Sequence, residues 1–210
     1  MKNVRKCISV LLIALFAISM AGCSLFNTGV SGSIVNTLKG YGVKEVEKQT
    51  DLIRITAKLN SEGSGYLILK DEKATKAYQS YFNTRRKLPT VDANQFIVAV
   101  ILEKGDKAVH AASVYSAEFY SEDDAKEVYE KFSPNFTTKK QTSDEGTEKD
   151  YSYTLMYTRS SNGATVRGLY LEGKSVTMIQ GSFYKGESNA FIDKFCKKMA
   201  WKSPMTIYDE

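Results

Sequence analysis

The middle of the chain constrains the fold most. Phe96 to Leu102 (FIVAVIL) is an unbroken apolar run of strand length. Glu103 to Asp106 (EKGD) is a tight turn, and Val109 to Tyr120 then reads as a long, weakly alternating strand. Two strands joined by so short a turn are antiparallel neighbours, because a parallel pair needs a long crossover. A helix follows. Ser121 and Asp124 form a capping-box pattern with Asp in place of the usual Glu, Ala125, Val128, Tyr129 and Phe132 line one face, and Pro134 is expected to close it.

The same hairpin-plus-helix pattern flanks this unit on both sides. Upstream, Ile53 to Leu59 (IRITAKL) alternates strictly and predicts a strand, Asn60 to Gly65 a turn, and Tyr66 to Leu69 a second strand. Asp71 then reads as the N-cap of a helix to about Phe82, with Ala74, Ala77, Tyr78 and Tyr81 on one face, 51 positions before their counterparts in the next helix. Downstream, Tyr151 to Arg159, Thr165 to Glu172 and Ser175 to Phe183 read as strands, and Ser188 caps a helix bearing Ile192, Phe195, Cys196 and Met199. Ile34 to Lys39 reads as a short helix ending at Gly40 or Gly42. The three units are either an old duplication or the ordinary way of building such a fold, since apolar helix faces share this spacing. The fold class expected is α+β: an antiparallel sheet with helices on one face. From Tyr66 to Arg159 the order strand, helix, strand, strand, helix, strand matches a ferredoxin-like split βαβ core, extended by further strands and a C-terminal helix. Ser133 to Asp150 (SPNFTTKKQTSDEGTEKD) has Phe136 as its only large apolar residue and is expected to be a long mobile loop.

The N-terminus is an address. Met1 to Lys6 is basic, and Ile8 to Met20 (ISVLLIALFAISM) is almost wholly apolar. A helix of that length reaches about 20 Å, short of the about 30 Å of a bilayer core, so the segment reads as an export signal. Met20-Ala21-Gly22-Cys23 follows directly and resembles the lipobox of bacterial lipoprotein precursors, with Met20 in place of the usual Leu. The resemblance covers only about the first 23 residues. It implies a diacylglyceryl group on the Cys23 sulfur, cleavage just before that residue, and a cell-membrane location facing the extracytoplasmic side. Two acyl chains hold a protein firmly where one holds it marginally. The organisation expected is a signal peptide over 1–22, a flexible tether over 23–33 reaching about 15–20 Å, and one α+β domain over 34–210. The chain's 210 residues, 42% hydrophobic and 25% charged, suit one such domain.

Composition removes several function classes. The formal charge is +5, but Lys2, Arg5 and Lys6 fall in the signal, and the remaining 26 basic against 24 acidic residues argue against nucleic acid as a partner. One histidine, His110, and three cysteines, Cys7, Cys23 and Cys196, exclude a Cys/His zinc cluster and a disulfide framework, and no cofactor is expected. No nucleophile elbow or phosphate loop is present to recruit His110, which is expected to face solvent or bond the backbone. Cys196 sits on an apolar helix face with no basic neighbour on that face and reads as inert. Glu122, Asp123 and Asp124 suit a helix N-terminus without serving a site. Arg85-Arg86-Lys87 is a small basic run, solvated or near lipid headgroups.

Tyrosine is the one enriched type with functional promise. Tyr151, Tyr153 and Tyr157 share a strand face, and Tyr170 and Tyr184 lie nearby in sequence. Such rings either form a binding surface or pack beneath helices. The expectation is a non-enzymatic module tied to the membrane by its lipid, binding an envelope protein, peptide or glycan through these tyrosines. The alternatives are a tethered hydrolase using carboxylates and a structural envelope component whose sheet edge pairs with another protein.

Overall fold

The computed structural model describes residues 29–57, 62–82, 88–106, 109–136 and 141–208. Cys23, the signal segment, the first part of the tether and the Arg85-Arg86-Lys87 run lie outside the described residues. In chain order the elements are α1 (Val30–Gly40), α2 (Gln49–Ala57), β1 (Gly63–Lys70), α3 (Asp71–Tyr81), β2 (Ala93–Lys104), β3 (Val109–Phe119), α4 (Glu122–Phe136), β4 (Thr142–Thr147), β5 (Ser152–Ser160), β6 (Gly163–Glu172), β7 (Ser175–Tyr184) and α5 (Ala190–Met199). A 3₁₀ turn, Pro204–Ile207, ends the described chain.

The seven strands form one sheet in the order β1-β2-β3-β7-β6-β5-β4, and every neighbouring pair is antiparallel. The α+β class and the antiparallel sheet are therefore as expected. In detail the architecture differs. β1 and β2 are adjacent, so the helix between them splits no pair and the strand order is not that of a split βαβ. Helices also cover both faces. Ile97, Ala99 and Ile101 of β2 join Ile34, Leu38, Phe191 and Phe195 of α1 and α5 in one core, while Phe96 and Val98 join Leu52, Tyr78 and Phe132 of α2, α3 and α4 in the other. The period-2 pattern of a continuous apolar run is what allows this: both faces of β2 are buried.

Several element assignments are corrected. Ile53 to Ala57 is helix, not strand: α2 buries Leu52, leaves Ile53 57% exposed, and lays Ile55 against the same core. β1 begins at Gly63, inside the expected turn, because Gly65 gives α2 room to descend. A Cβ there would stand 2.8 Å from Ile55 Cδ1 and 3.3 Å from Leu52 Cδ2. Asp71 does not cap α3 through its side chain; it stands in the left-handed region with φ +51 at the abrupt passage from β1 to helix. Pro134 lies within the last turn of α4, where Phe136 is buried edge-on to Phe132. The expected loop from 133 holds that turn and β4, a wholly polar edge strand on β5 whose lack of apolar residues hid it. Asn189, not Ser188, caps α5 by accepting from the Ile192 N–H. α1 starts at Val30, so residues 30–33 of the expected tether are helical.

Candidate functional site

The tyrosine face is real and is closed from outside. Tyr153 and Tyr157 of β5 and Tyr170 of β6 are buried on the α1–α5 side, and the segment after α5 folds back over them. Tyr170, fully buried, stacks on Trp201 at 4.4 Å and 13°, and its hydroxyl donates to the Lys202 carbonyl (2.7 Å). The Lys202 N–H donates to the Tyr151 hydroxyl (2.8 Å). Lys202 Nζ donates to the Tyr153 hydroxyl (3.2 Å) and pairs with Asp144 of β4 (2.8 Å), which holds the ammonium pKa up. Tyr157 accepts from Arg159 Nε (2.6 Å) and meets Tyr208 edge-on. Burial pushes the Tyr170 hydroxyl far above its ordinary range, with the neighbouring Cys196 thiol adding to it. Of the five tyrosines, Tyr184 alone is exposed, at 43%. These rings fasten the C-terminal segment to the sheet; they do not form one open docking surface.

The other groups singled out by the sequence also act structurally. His110 is buried and its Nε2 pairs with the Glu187 carboxylate, not with solvent or backbone. One residue along, Asn189 Nδ2 donates to the Ala111 carbonyl (3.1 Å), so the β7–α5 connection is fastened twice to β3. Burial pushes the Cys196 thiol up to about 12, which removes the thiolate needed for reactivity. Glu122, Asp123 and Asp124 fill the first turn of α4, where Ser121 Oγ accepts from the Asp124 N–H (3.1 Å). Among the described residues no three His, Cys, Asp or Glu side chains are grouped to hold a metal ion.

An open cleft of about 630 Å³ lies where the start of β1 and the end of β2 meet α1 and α5. Tyr41 and Phe191, ring centroids 5.7 Å apart and edge-to-face, make an aromatic wall. Glu62, Glu103 and Lys104 also line it, all exposed. The floor includes Gly63 and Ser64 of β1, an edge strand. Register makes this edge informative. Tyr66 turns its backbone groups away from β2: its N–H donates to the Lys44 carbonyl (3.0 Å) and its carbonyl accepts from the Val46 N–H (2.8 Å). Ser64 stands two residues earlier, opposite Ile101 as Tyr66 stands opposite Ala99. Its N–H and carbonyl therefore point to the same open side, and among the described residues no partner meets them. No local pattern marks this cleft, because Gly63-Ser64-Gly65 reads as a turn and the aromatic wall joins residues 150 positions apart.

No protein-family model matches the sequence, and no curated protein matches it. Among solved structures, the extracellular domain of PknH from Mycobacterium tuberculosis aligns over 73% of this chain and 90% of that chain, at 10% identity and a TM-score of 0.41. A likeness that slight carries no functional argument. No described helix is long and apolar enough to cross a membrane.

Proposed function

We propose that this protein is a lipid-anchored, extracytoplasmic binding module, held by Cys23, that takes an extended peptide of an envelope protein in the edge cleft. The observation that carries the reading is the outward backbone pair of Ser64 beneath the Tyr41–Phe191 wall. An added strand gains its main-chain hydrogen bonds from such an edge and its selectivity from alternate side-chain pockets. Here the aromatic wall suits an apolar side chain, and Glu62 with Glu103 outweighs Lys104, favouring a basic one. The same two carboxylates are what a tethered hydrolase would use. Both are exposed to water, whereas a glycosidase's acid sits in an apolar pocket, so the geometry favours binding.

Ser64→Pro tests the site. The substitution deletes an N–H that β2 does not use, and proline is tolerated on edge strands, so the fold should persist. Displayed extended peptides selected on the mature protein should be rich in Lys or Arg and should lose about three- to tenfold in affinity for the proline variant, one strand-addition hydrogen bond being worth about 0.5–1.5 kcal/mol. Selected peptides that bind both proteins equally would overturn the cleft assignment.

A further inference from the structure

The two helical layers carry opposite charge, and the chain leaves the positive one. α1 and α5 together hold Lys39, Lys194, Lys197 and Lys198 against one acid, Asp193. On the other face α2 and α3 are each balanced, and α4 has five acids against Lys126 and Lys131. The sheet thus separates a layer of net +3 from a layer of net −3. Lys194, Lys197 and Lys198 are exposed and, at i, i+3 and i+4, form one stripe. None of the three pairs with an acid among the described residues.

The packing of α1 on α5 sets where this stripe stands. Thr37 Oγ1 donates to Met199 Sδ (3.7 Å), while Tyr41 meets Phe191, so the helices run antiparallel. The N-terminus of α1 therefore lies beyond the C-terminal turn of α5, about 10 Å from Thr37 along the axis. Cys23 is seven residues before Val30, a distance the chain spans with at most about 25 Å.

We infer that the outer face of α5, through Lys194, Lys197 and Lys198, docks on the anionic headgroups of the membrane that holds the lipid anchor. This rests on the anchoring proposed above. The tether keeps the stripe near the surface, and the negative potential of anionic lipids acts only over about a Debye length, so the positive layer is drawn in and the α4 layer is turned away. The cleft, bounded by the other ends of the same two helices, then lies at the opposite end of the docked helix pair from the tether.

The test uses the mature, lipidated full chain on vesicles containing phosphatidylglycerol and on vesicles of phosphatidylcholine alone, with amine acetylation read residue by residue by mass spectrometry. Labelling of Lys194, Lys197 and Lys198 should slow by about threefold or more on the anionic vesicles, and recover at about 1 M salt, where the Debye length falls to about 3 Å. Lys73 and Lys76, on the opposite face, should label equally on both. The variant K197E/K198E, changed at exposed positions, should abolish the lipid dependence at Lys194. Equal labelling of the stripe on both vesicles, or slowing at Lys73 and Lys76 instead, overturns the docking. Failure to float with either vesicle overturns the anchor itself and the docking with it, a result distinct from floating without protection.

Discussion

Replacing Tyr170 with Phe removes a single oxygen from the contact that ties a buried ring to the C-terminal segment. The ring is fully buried and stacks on Trp201, and Phe keeps that stack, so the packing contribution should be nearly unchanged. What is lost is the hydroxyl that donates to the Lys202 carbonyl at 2.7 Å. A neutral hydrogen bond nets about 1 kcal/mol, and stranding a buried acceptor costs about 1–3 kcal/mol. Lys202 is half-buried, so water can reach part of its peptide unit and a cost of about 1.5 kcal/mol follows. With a urea slope of about 2 kcal/mol/M, the midpoint should fall by about 0.7 M at unchanged slope, and Tm by about 3–6 °C. Trp201 is the only tryptophan, and its ring lies against position 170, so its emission reports the transition directly. Tyr151→Phe removes the acceptor of the N–H of the same residue, in the preceding peptide unit; the double variant should show coupling of about 0.5 kcal/mol or more. A midpoint shift below about 0.2 M, or additive single effects, would mean that the C-terminal segment is not fastened to the sheet in this way.

Burial and packing elsewhere in the molecule set four further outcomes. Leu52→Ala should cost about 2–5 kcal/mol and Ile53→Ser less than about 0.5 kcal/mol in denaturant melts, since α2 buries the first and exposes the second; the reverse ranking would restore the strand. Gly65→Val should destabilise by about 1–3 kcal/mol by pressing on Ile55, Val46 and Leu52, read by the same melts. Native protein should react with iodoacetamide at Cys196 only after unfolding, because the thiol is buried and its pKa is pushed up to about 12. In spectrophotometric titration at 295 nm the buried tyrosines should ionise in a late cooperative jump, after the exposed ones: burial raises the Tyr78 and Tyr170 pKa values, so their contribution is whole below the unfolded value of about 10 and is lost as pH rises above it. A smooth titration of all tyrosines near that value in folded protein would refute their burial.

Local pattern carried the elements that pack by one rule. β2, β3, β6 and β7 are strands because their apolar runs have strand length and turn residues bound them, and the apolar faces of α3, α4 and α5 are those the 3.6-residue spacing marks out. It failed where two rules give the same letters. IRITAKL alternates as a strand does, yet Leu52 and Ile55 are also three apart, and the glycines of β1 give a helix a seat. That seat belongs to a different segment of chain, so no window around Ile53 contains the deciding fact. β4 failed for the opposite reason: an edge strand needs only backbone pairing, and TSDEGT has no apolar signal to read.

The tyrosines show why a site is harder to read than a strand. Tyr151, Tyr153 and Tyr157 do share a face, as period 2 requires, but alternation cannot say whether that face meets a partner or the chain's own C-terminus. The answer lies some 50 residues away, where Lys202 presents its N–H to Tyr151, its carbonyl to Tyr170 and its ammonium to Tyr153 and Asp144. The cleft has the same character. Its wall needs Tyr41 at the end of α1 and Phe191 at the start of α5, and its open edge needs the pairing of Tyr66 with residues 44–46 to stop short of Ser64. The wall follows from α1 lying antiparallel on α5. That one packing choice places the tether and the lysine stripe at one end of the helix pair and the cleft at the other, so a change that altered it, such as Thr37→Trp against Met199, should disturb peptide binding and lipid contact together, while Ser64→Pro should disturb only the first.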